Sequence, residues 1–424
     1  MSAGEAAVAV LDVEAPPAAR RSAVAFRDAL MVAIAAGLGY GFDSYAVNVY
    51  SLVLPLIAVT LHASLALLGV IGSVFLVGYT IGTIGFGIAA DRFGRRDTLG
   101  ASILLYGITT TLGGLTTSVP LFAALRFLTG VGGAGELAVG APYTAEMWPA
   151  RVRALGTGGV IFSLFSLGYI SAAGAALIIV PRFGWRWAFT IAIVPALLVF
   201  LVRRLIRESV RYVQSRSEAR GDGSAQPIWA VPGARRRIVV GWMIYVANAC
   251  GYWGITTFLT TFMVQKFHVS ATRAIGYALL FYVVQFVLAY VGSGLADLAG
   301  RRVAGILGAL VMIACTAVSA TTGSLPVYLA FGSIMIGTLG WLWAVGDTYM
   351  SEFFRTERRG TRFGIMVGGG RAASIFAPTL VGVGIASLGP TVPFLATAGL
   401  WLLTIGGYLL GPETRGRELE EVQI

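Results

Sequence analysis

Cysteine, histidine and lysine are nearly missing from this chain of 424 residues, and charge of either sign is scarce. Cys250 and Cys315 are the only cysteines, each inside an apolar run, which excludes a disulfide-stapled scaffold and a cysteine-ligated metal cluster. With His62 and His268 the only histidines, a histidine-ligated metal or haem site is equally unexpected, and no cofactor is called for. Lys266 is the single lysine among 31 basic residues, a bias that fits a GC-rich bacterial genome. Charged residues make up 12%, about half the share of a soluble globular domain at roughly 25%. No nucleotide loop or Ser/His/Asp set is found, so the chain is not expected to be an enzyme.

What remains is apolar: 57% hydrophobic residues and a mean hydropathy of +0.80, so the solvent for most of the chain is lipid. The first 25 residues, with Pro16, Pro17, Arg20 and Arg21, lack a continuous apolar stretch and read as a cytoplasmic tail, not a signal peptide. Apolar runs of the roughly 20 residues needed to cross a bilayer then recur. Spans 1 to 6 are predicted near 29–58, 64–90, 98–117, 120–147, 154–180 and 185–205, and spans 7 to 12 near 236–263, 273–297, 302–321, 325–351, 362–387 and 391–411. This gives an all-α membrane protein of twelve transmembrane helices in two six-helix bundles. Its expected organisation is a cytoplasmic tail at 1–28, a first bundle at 29–205, a polar linker at 206–234, a second bundle at 235–411 and a tail at 412–424.

Of the basic residues, 25 fall in the terminal tails, the even-to-odd loops and the central linker, counting Arg203 and Arg204 with the linker. Only Arg182, Arg186, Lys266 and Arg273 lie on the other face. Positive residues gather on the cytoplasmic side of membrane proteins, so the linker and both termini are expected there. The net charge of +11 is therefore topological, and nucleic-acid binding is not expected.

Shifting the sequence by 206 residues lays Asp91, Gly94, Arg95 and Arg96 on Asp297, Gly300, Arg301 and Arg302. The same shift lays Tyr143, Glu146 and Arg153 on Tyr349, Glu352 and Arg359. One offset serving two loops means duplication of a six-helix unit, and parallel repeats of this kind place a substrate site at their interface near the midplane. Two readings fit the duplicated charges. They are solvated positive-inside loops, or they are a gate: Asp91, Arg95, Arg96, Glu146 and Arg153 on one half, with Asp297, Arg301, Arg302, Glu352 and Arg359 on the other. Such ion pairs need bias two states by only a few kcal/mol. Arg355 stands where Pro149 lies in the first copy.

The residues also carry a resemblance. Gly87-Ile-Ala-Ala-Asp91-Arg-Phe-Gly94-Arg95-Arg96 resembles the loop 2/3 motif of the major facilitator superfamily, Asp297-Leu-Ala-Gly-Arg301-Arg302 its second copy, and Arg126-Phe-Leu-Thr-Gly130 its span 4 motif. Arg207-Glu208-Ser209-Val-Arg211-Tyr212 and Pro412-Glu413-Thr414-Arg-Gly416-Arg417 are similar to sugar-porter hallmarks. The resemblance implies a secondary transporter that works by alternating access, in an inner membrane and as a monomer.

Intramembrane charge points to function because each such group costs about 2.5 to 3.5 kcal/mol at the bilayer centre. Asp43 in span 1 and Arg126 in span 4 form an interhelical salt bridge or a proton-coupling pair; sugar:proton symporters resemble this sequence at both positions. Glu136 in span 4 is a second proton site, a substrate contact or a packed polar residue, and its partner must come from another helix. Arg371 in span 11 lies in a Gly-Arg segment that resembles aromatic-acid:proton symporters, whose guanidinium fork suits capture of a carboxylate. Its alternative is an ion pair with Asp347 or Glu136. Ala46 stands where those symporters have a second aspartate in span 1.

Aromatic and polar side chains fit a ring-bearing substrate: Tyr40 and Tyr45 in span 1, Asn248, Tyr252, Trp253 and Thr257 in span 7, Gln285 in span 8, and Trp341, Trp343 and Asp347 in span 10. Span 7 also lacks the glutamine and asparagine cluster with which sugar porters hold hydroxyls. The expected function is proton-coupled uptake of a small organic anion, an aromatic or related carboxylate, with a sugar or polyol porter as the alternative. Span 5 has no proline from Ala154 to Val180, hence no antiporter motif, which leaves drug or metabolite efflux as the third choice.

Overall fold

The computed structural model describes residues 26–63, 65–209, 212–213, 233–354, 359–389 and 391–419. The tail through residue 25, Arg211, most of the linker, Arg355 and the end from residue 420 lie outside the described residues. Twelve helices among the described residues are long and apolar enough to cross a membrane. Spans 1 to 4 are Phe26–Thr60, Leu65–Phe93, Arg95–Leu115 and Val119–Met147. Spans 7 to 10 are Ala234–Phe267, Ala271–Ala299, Arg301–Thr321 and Leu325–Ser351, and span 12 is Thr391–Leu410. The chain is thus an all-helical multi-pass membrane protein, as its apolar runs imply.

Three spans are less regular than the runs predict. Span 5 begins with a π-helical turn, Leu155–Val160, before the helix Ile161–Ile178. Span 6 is split into Trp185–Thr190 and Ile193–Leu205, two residues before Pro195 in its second piece. Span 11 runs Arg359–Ala372, passes through a tight turn at Ala373–Ile375 and resumes as Ala377–Leu388. Pro378 opens that last piece, where a missing N–H costs nothing because a first-turn donor has no intrahelical acceptor.

Single glycines join spans 2 to 3 and 8 to 9. Gly94 and Gly300 have φ of 105° and 106°, a backbone region that side-chain-bearing residues avoid. Each sharp turn exposes the N–H groups at the head of the next helix, and a glutamate from the end of the same half accepts them. Glu208 takes the N–H groups of Arg95 and Arg96 at 2.9 and 3.1 Å, and Glu413 those of Arg301 and Arg302 at 2.9 and 3.0 Å. A carboxylate at a helix N-terminus also meets the positive end of the helix dipole.

Spans 1, 4 and 7 are mostly buried, whereas spans 6 and 8 turn most of their surface outward. Leu198, Leu201 and Leu205 on span 6 are exposed, as a lipid-facing helix requires. Across the halves, span 2 packs on the first piece of span 11, and span 5 on span 8.

Candidate functional site: a charged gate and a central aromatic cleft

The duplicated charges close one end of the molecule, the arginine-rich face. Within the first half, Arg95 holds Asp91 at 2.8 Å and Glu146 at 3.1 Å; within the second, Arg301 holds Asp297 at 2.9 Å and Glu352 at 3.0 Å. Two further pairs cross between halves, Arg359 to Glu146 and Arg153 to Glu352, both at 3.1 Å. Each aspartate also crosses: Asp91 accepts the N–H groups of Gly360 and Thr361 at 3.1 and 2.6 Å, and Asp297 those of Ala154 and Leu155 at 3.1 and 3.0 Å. Ser209 and Thr414 complete the two glutamates at 2.5 Å. Every partner named has its counterpart in the other half, so one arrangement occurs twice about the same interface.

Eight of the ten expected gate residues meet there, and two do not. The Arg96 side chain turns outward to Asp97 at 3.3 Å, and the Arg302 side chain donates to Tyr408 O and Leu409 O at the end of span 12. Their backbone N–H groups bond Glu208 and Glu413. The two capping glutamates, by contrast, lie in the quoted motifs but had no role assigned from sequence.

Between the halves, at about mid-depth of the spans, Tyr40, Asp43, Tyr79, Tyr252, Trp343 and Arg371 line a narrow cleft together with Val47, Phe162, Phe165 and Trp253. Arg371 is buried, lays its guanidinium 3.9 Å over the Tyr79 ring and donates to Tyr245 Oη at 2.8 Å. It forms no ion pair among the described residues, and its Nε has no acceptor. Pairing with Asp347 or Glu136, the alternative expectation, is thereby not what the structure holds. Asp43 accepts the Tyr79 hydroxyl at 2.8 Å on one oxygen and leaves the other, Oδ1, without a donor. A Cβ at Gly133 would strike that oxygen, so the glycine is what lets the carboxylate sit there.

Arg126 does not pair with Asp43. It is held by the faces of Tyr50 and Phe75, each 4.5 Å from its guanidinium carbon, and by Ala46 O at 3.3 Å. Glu136 is also removed from the cleft. Arg203 of span 6 grips it with both terminal nitrogens, one at 2.9 Å, and Ser102 donates at 3.0 Å. The partner does come from another helix, but from an arginine that charge counting assigns to the linker. Glu136 is thus held in a closed ion pair within the first half and does not line the cleft.

Several expected substrate contacts point elsewhere. Tyr45 donates to Ala188 O at 2.6 Å inside the first half, and Gln285 is spent between Ser166 and Ile336 O across spans 5, 8 and 10. Thr257 is exposed and bonds its own helix at Trp253 O, while the Trp341 indole fills the space left by Gly292 and Gly308 in the second half. Asn248 and Asp347 are buried and do not line the cleft, and Oδ1 of each lacks a partner. Tyr79, Tyr245, Phe162 and Phe165 were missed from sequence. Among the described residues no cluster of histidine, cysteine and carboxylates fit to hold a metal ion occurs.

The Major Facilitator Superfamily profile matches residues 36–280 and 241–423. The chain is 30% identical over 399 residues to a probable 4-methylmuconolactone transporter of Cupriavidus pinatubonensis, covering 91% of this chain and 90% of that one. It is 26% identical to the niacin transporter NiaP of Acinetobacter baylyi, covering 91% and 94%. In fold it is similar to the proton:xylose symporter XylE bound to 6-bromo-6-deoxy-D-glucose, with a TM-score of 0.81 at 20% identity over 93% of this chain and 98% of that one. The matching family profile and these relatives, with a duplicated six-helix unit and a twice-repeated charge cluster, make the chain a transporter, not an enzyme, and a member of the Major Facilitator Superfamily.

Proposed function

We propose that this transporter takes up a small organic anion, an aromatic or related carboxylate, together with protons, across a bacterial inner membrane with its arginine-rich face toward the cytoplasm. The observation that carries the reading is Arg371: a permanently charged group, buried in a cleft walled by aromatic rings, with no carboxylate of the described residues in direct ion-pair contact with it. Burying a charge without a counter-ion is costly, and an anionic ligand removes that cost while accepting charge-assisted hydrogen bonds. Tyr40, Phe162, Phe165, Tyr252 and Trp343 offer ring faces and edges to a planar substrate. Relatives named for a muconolactone and for niacin support this class.

Asp43 is the coupling site in this reading. It sits on the same tyrosine as Arg371 and lines the same cleft, where it meets a proton and a substrate charge in turn. The gate supplies the two states: the cross-half pairs hold the arginine-rich face shut, and their rupture opens it.

A thermal-shift screen of aromatic acids, sugars and cationic drugs tests the class, because a ligand at 100 times its Kd stabilises the protein by about 2.7 kcal/mol. Aromatic acids alone are expected to raise Tm. Stabilisation by sugars, or by cationic drugs, would instead select a polyol porter or an efflux carrier.

A further inference from the structure

A cavity of about 300 Å³ opens between spans 3 and 6 at the arginine-rich end, lined by Arg96, Asp97, Gly100, Phe200, Arg203 and Arg204 among others. It belongs neither to the gate nor to the central cleft. Among the described residues the Arg96 side chain pairs with the exposed Asp97, and Arg204 lies 4.9 Å over the Phe200 ring with no ion pair. Arg203 is buried, and its Nε has no acceptor although its terminal nitrogens are taken by Glu136.

The duplication shows that this is more than positive-inside charge. Under the 206-residue shift Gly100 falls on Ile306, and Arg203 and Arg204 fall on Leu409 and Leu410, so the second half has neither this glycine nor the paired arginines. A Cβ at Gly100 would make ordinary contact with the Phe200 ring at 3.4 Å, so a side chain longer than that of alanine is what would fill the cavity.

Its position identifies the occupant. Leu198 and Leu201 on span 6 are exposed within two turns of Arg204 on its membrane side. A ligand seated there meets cationic donors at its head and apolar helix surface along its length. We propose that this cavity binds the headgroup phosphate of an anionic phospholipid, with Arg96 and Arg204 as its ligands and the acyl chains lying along spans 3 and 6. Arginine is suited to phosphate through its planar fork, and charge at headgroup depth draws anionic lipid.

The test titrates the purified full-length transporter with dioctanoyl phosphatidylglycerol, dioctanoyl phosphatidylcholine and inorganic phosphate, reading Tm and bound lipid by native mass spectrometry. Saturable stabilisation by phosphatidylglycerol alone is expected, weakened about 10-fold or more in R96Q/R204Q. Gly100→Leu keeps every charge but fills the cavity, and is expected to abolish the same binding; a merely electrostatic surface would not respond to it. Equal binding of both lipids, an effect unchanged in R96Q/R204Q or in Gly100→Leu, or full reproduction by inorganic phosphate would overturn the proposal.

Discussion

Tyr79 joins the two charges of the central cleft: its hydroxyl donates to Asp43 at 2.8 Å while its ring face carries the Arg371 guanidinium at 3.9 Å. One side chain thus touches the group proposed to carry the proton and the group proposed to hold the anion. Its ring and its hydroxyl are separable by mutation. Tyr79→Phe keeps the cation–π face and is expected to leave substrate affinity within about threefold. Tyr79→Leu removes the face and is expected to weaken binding by roughly 2- to 30-fold, the range of a desolvated cation–π contact at about 0.5 to 2 kcal/mol. Equilibrium binding of the two variants checks the difference.

Asp43→Asn removes the titrating group while preserving shape. Reconstituted transporter with this change is expected to lose concentrative uptake yet keep counterflow, since exchange needs binding and gating but no net proton release. Uptake that stayed concentrative and protonophore-sensitive would refute the assignment.

Glu146 accepts Arg95 from its own half and Arg359 from the other, so Glu146→Gln weakens both at once. Breaking a buried pair costs about 3 to 5 kcal/mol, enough to shift a two-state balance by two decades or more. A reporter cysteine at Thr361, buried between the halves, is expected to react faster in Glu146→Gln than in the parent, with intrinsic substrate affinity little changed. Native Cys250 and Cys315 are replaced beforehand.

The Glu136 and Arg203 pair makes the opposite demand. Glu136→Gln leaves Arg203 buried with a neutral partner, so Tm is expected to fall while the proton dependence of uptake survives. Loss of proton dependence with unchanged Tm would return Glu136 to the coupling mechanism.

Much of the fold is legible because membrane spans are coded by length and composition, and the gate because duplication marks its residues twice. The partners within the gate are another matter. Arg95 and Arg96 are adjacent and repeat together, yet only one reaches Glu146, because neighbours on a helix point about 100° apart. The same geometry separates Trp341 from Trp343, two residues and about 200° apart; only Trp343 faces the cleft. Arg203 was misassigned because it follows an apolar run next to Arg204. Its signal lay in spacing: Ala196, Val199 and Arg203 share the buried face of span 6 at helical intervals, which marks the arginine as internal. Tyr79 left no comparable mark, since a tyrosine in a glycine-rich span reads as packing until the helix opposite is known.

The central claim is that Arg371 reads the charge of the substrate, and it is tested most directly by measuring Kd for an aromatic acid and for its neutral amide in the parent and in Arg371→Ala. The parent is expected to favour the acid. The variant is expected to lose about 10- to 150-fold in affinity for the acid, the value of a charge-assisted hydrogen bond at about 1.5 to 3 kcal/mol, with the amide little affected. Arg371→Lys restores charge without the fork and is expected to recover only part. Equal losses for acid and amide would contradict the account, because Arg371 would then support the cleft without reading the anion.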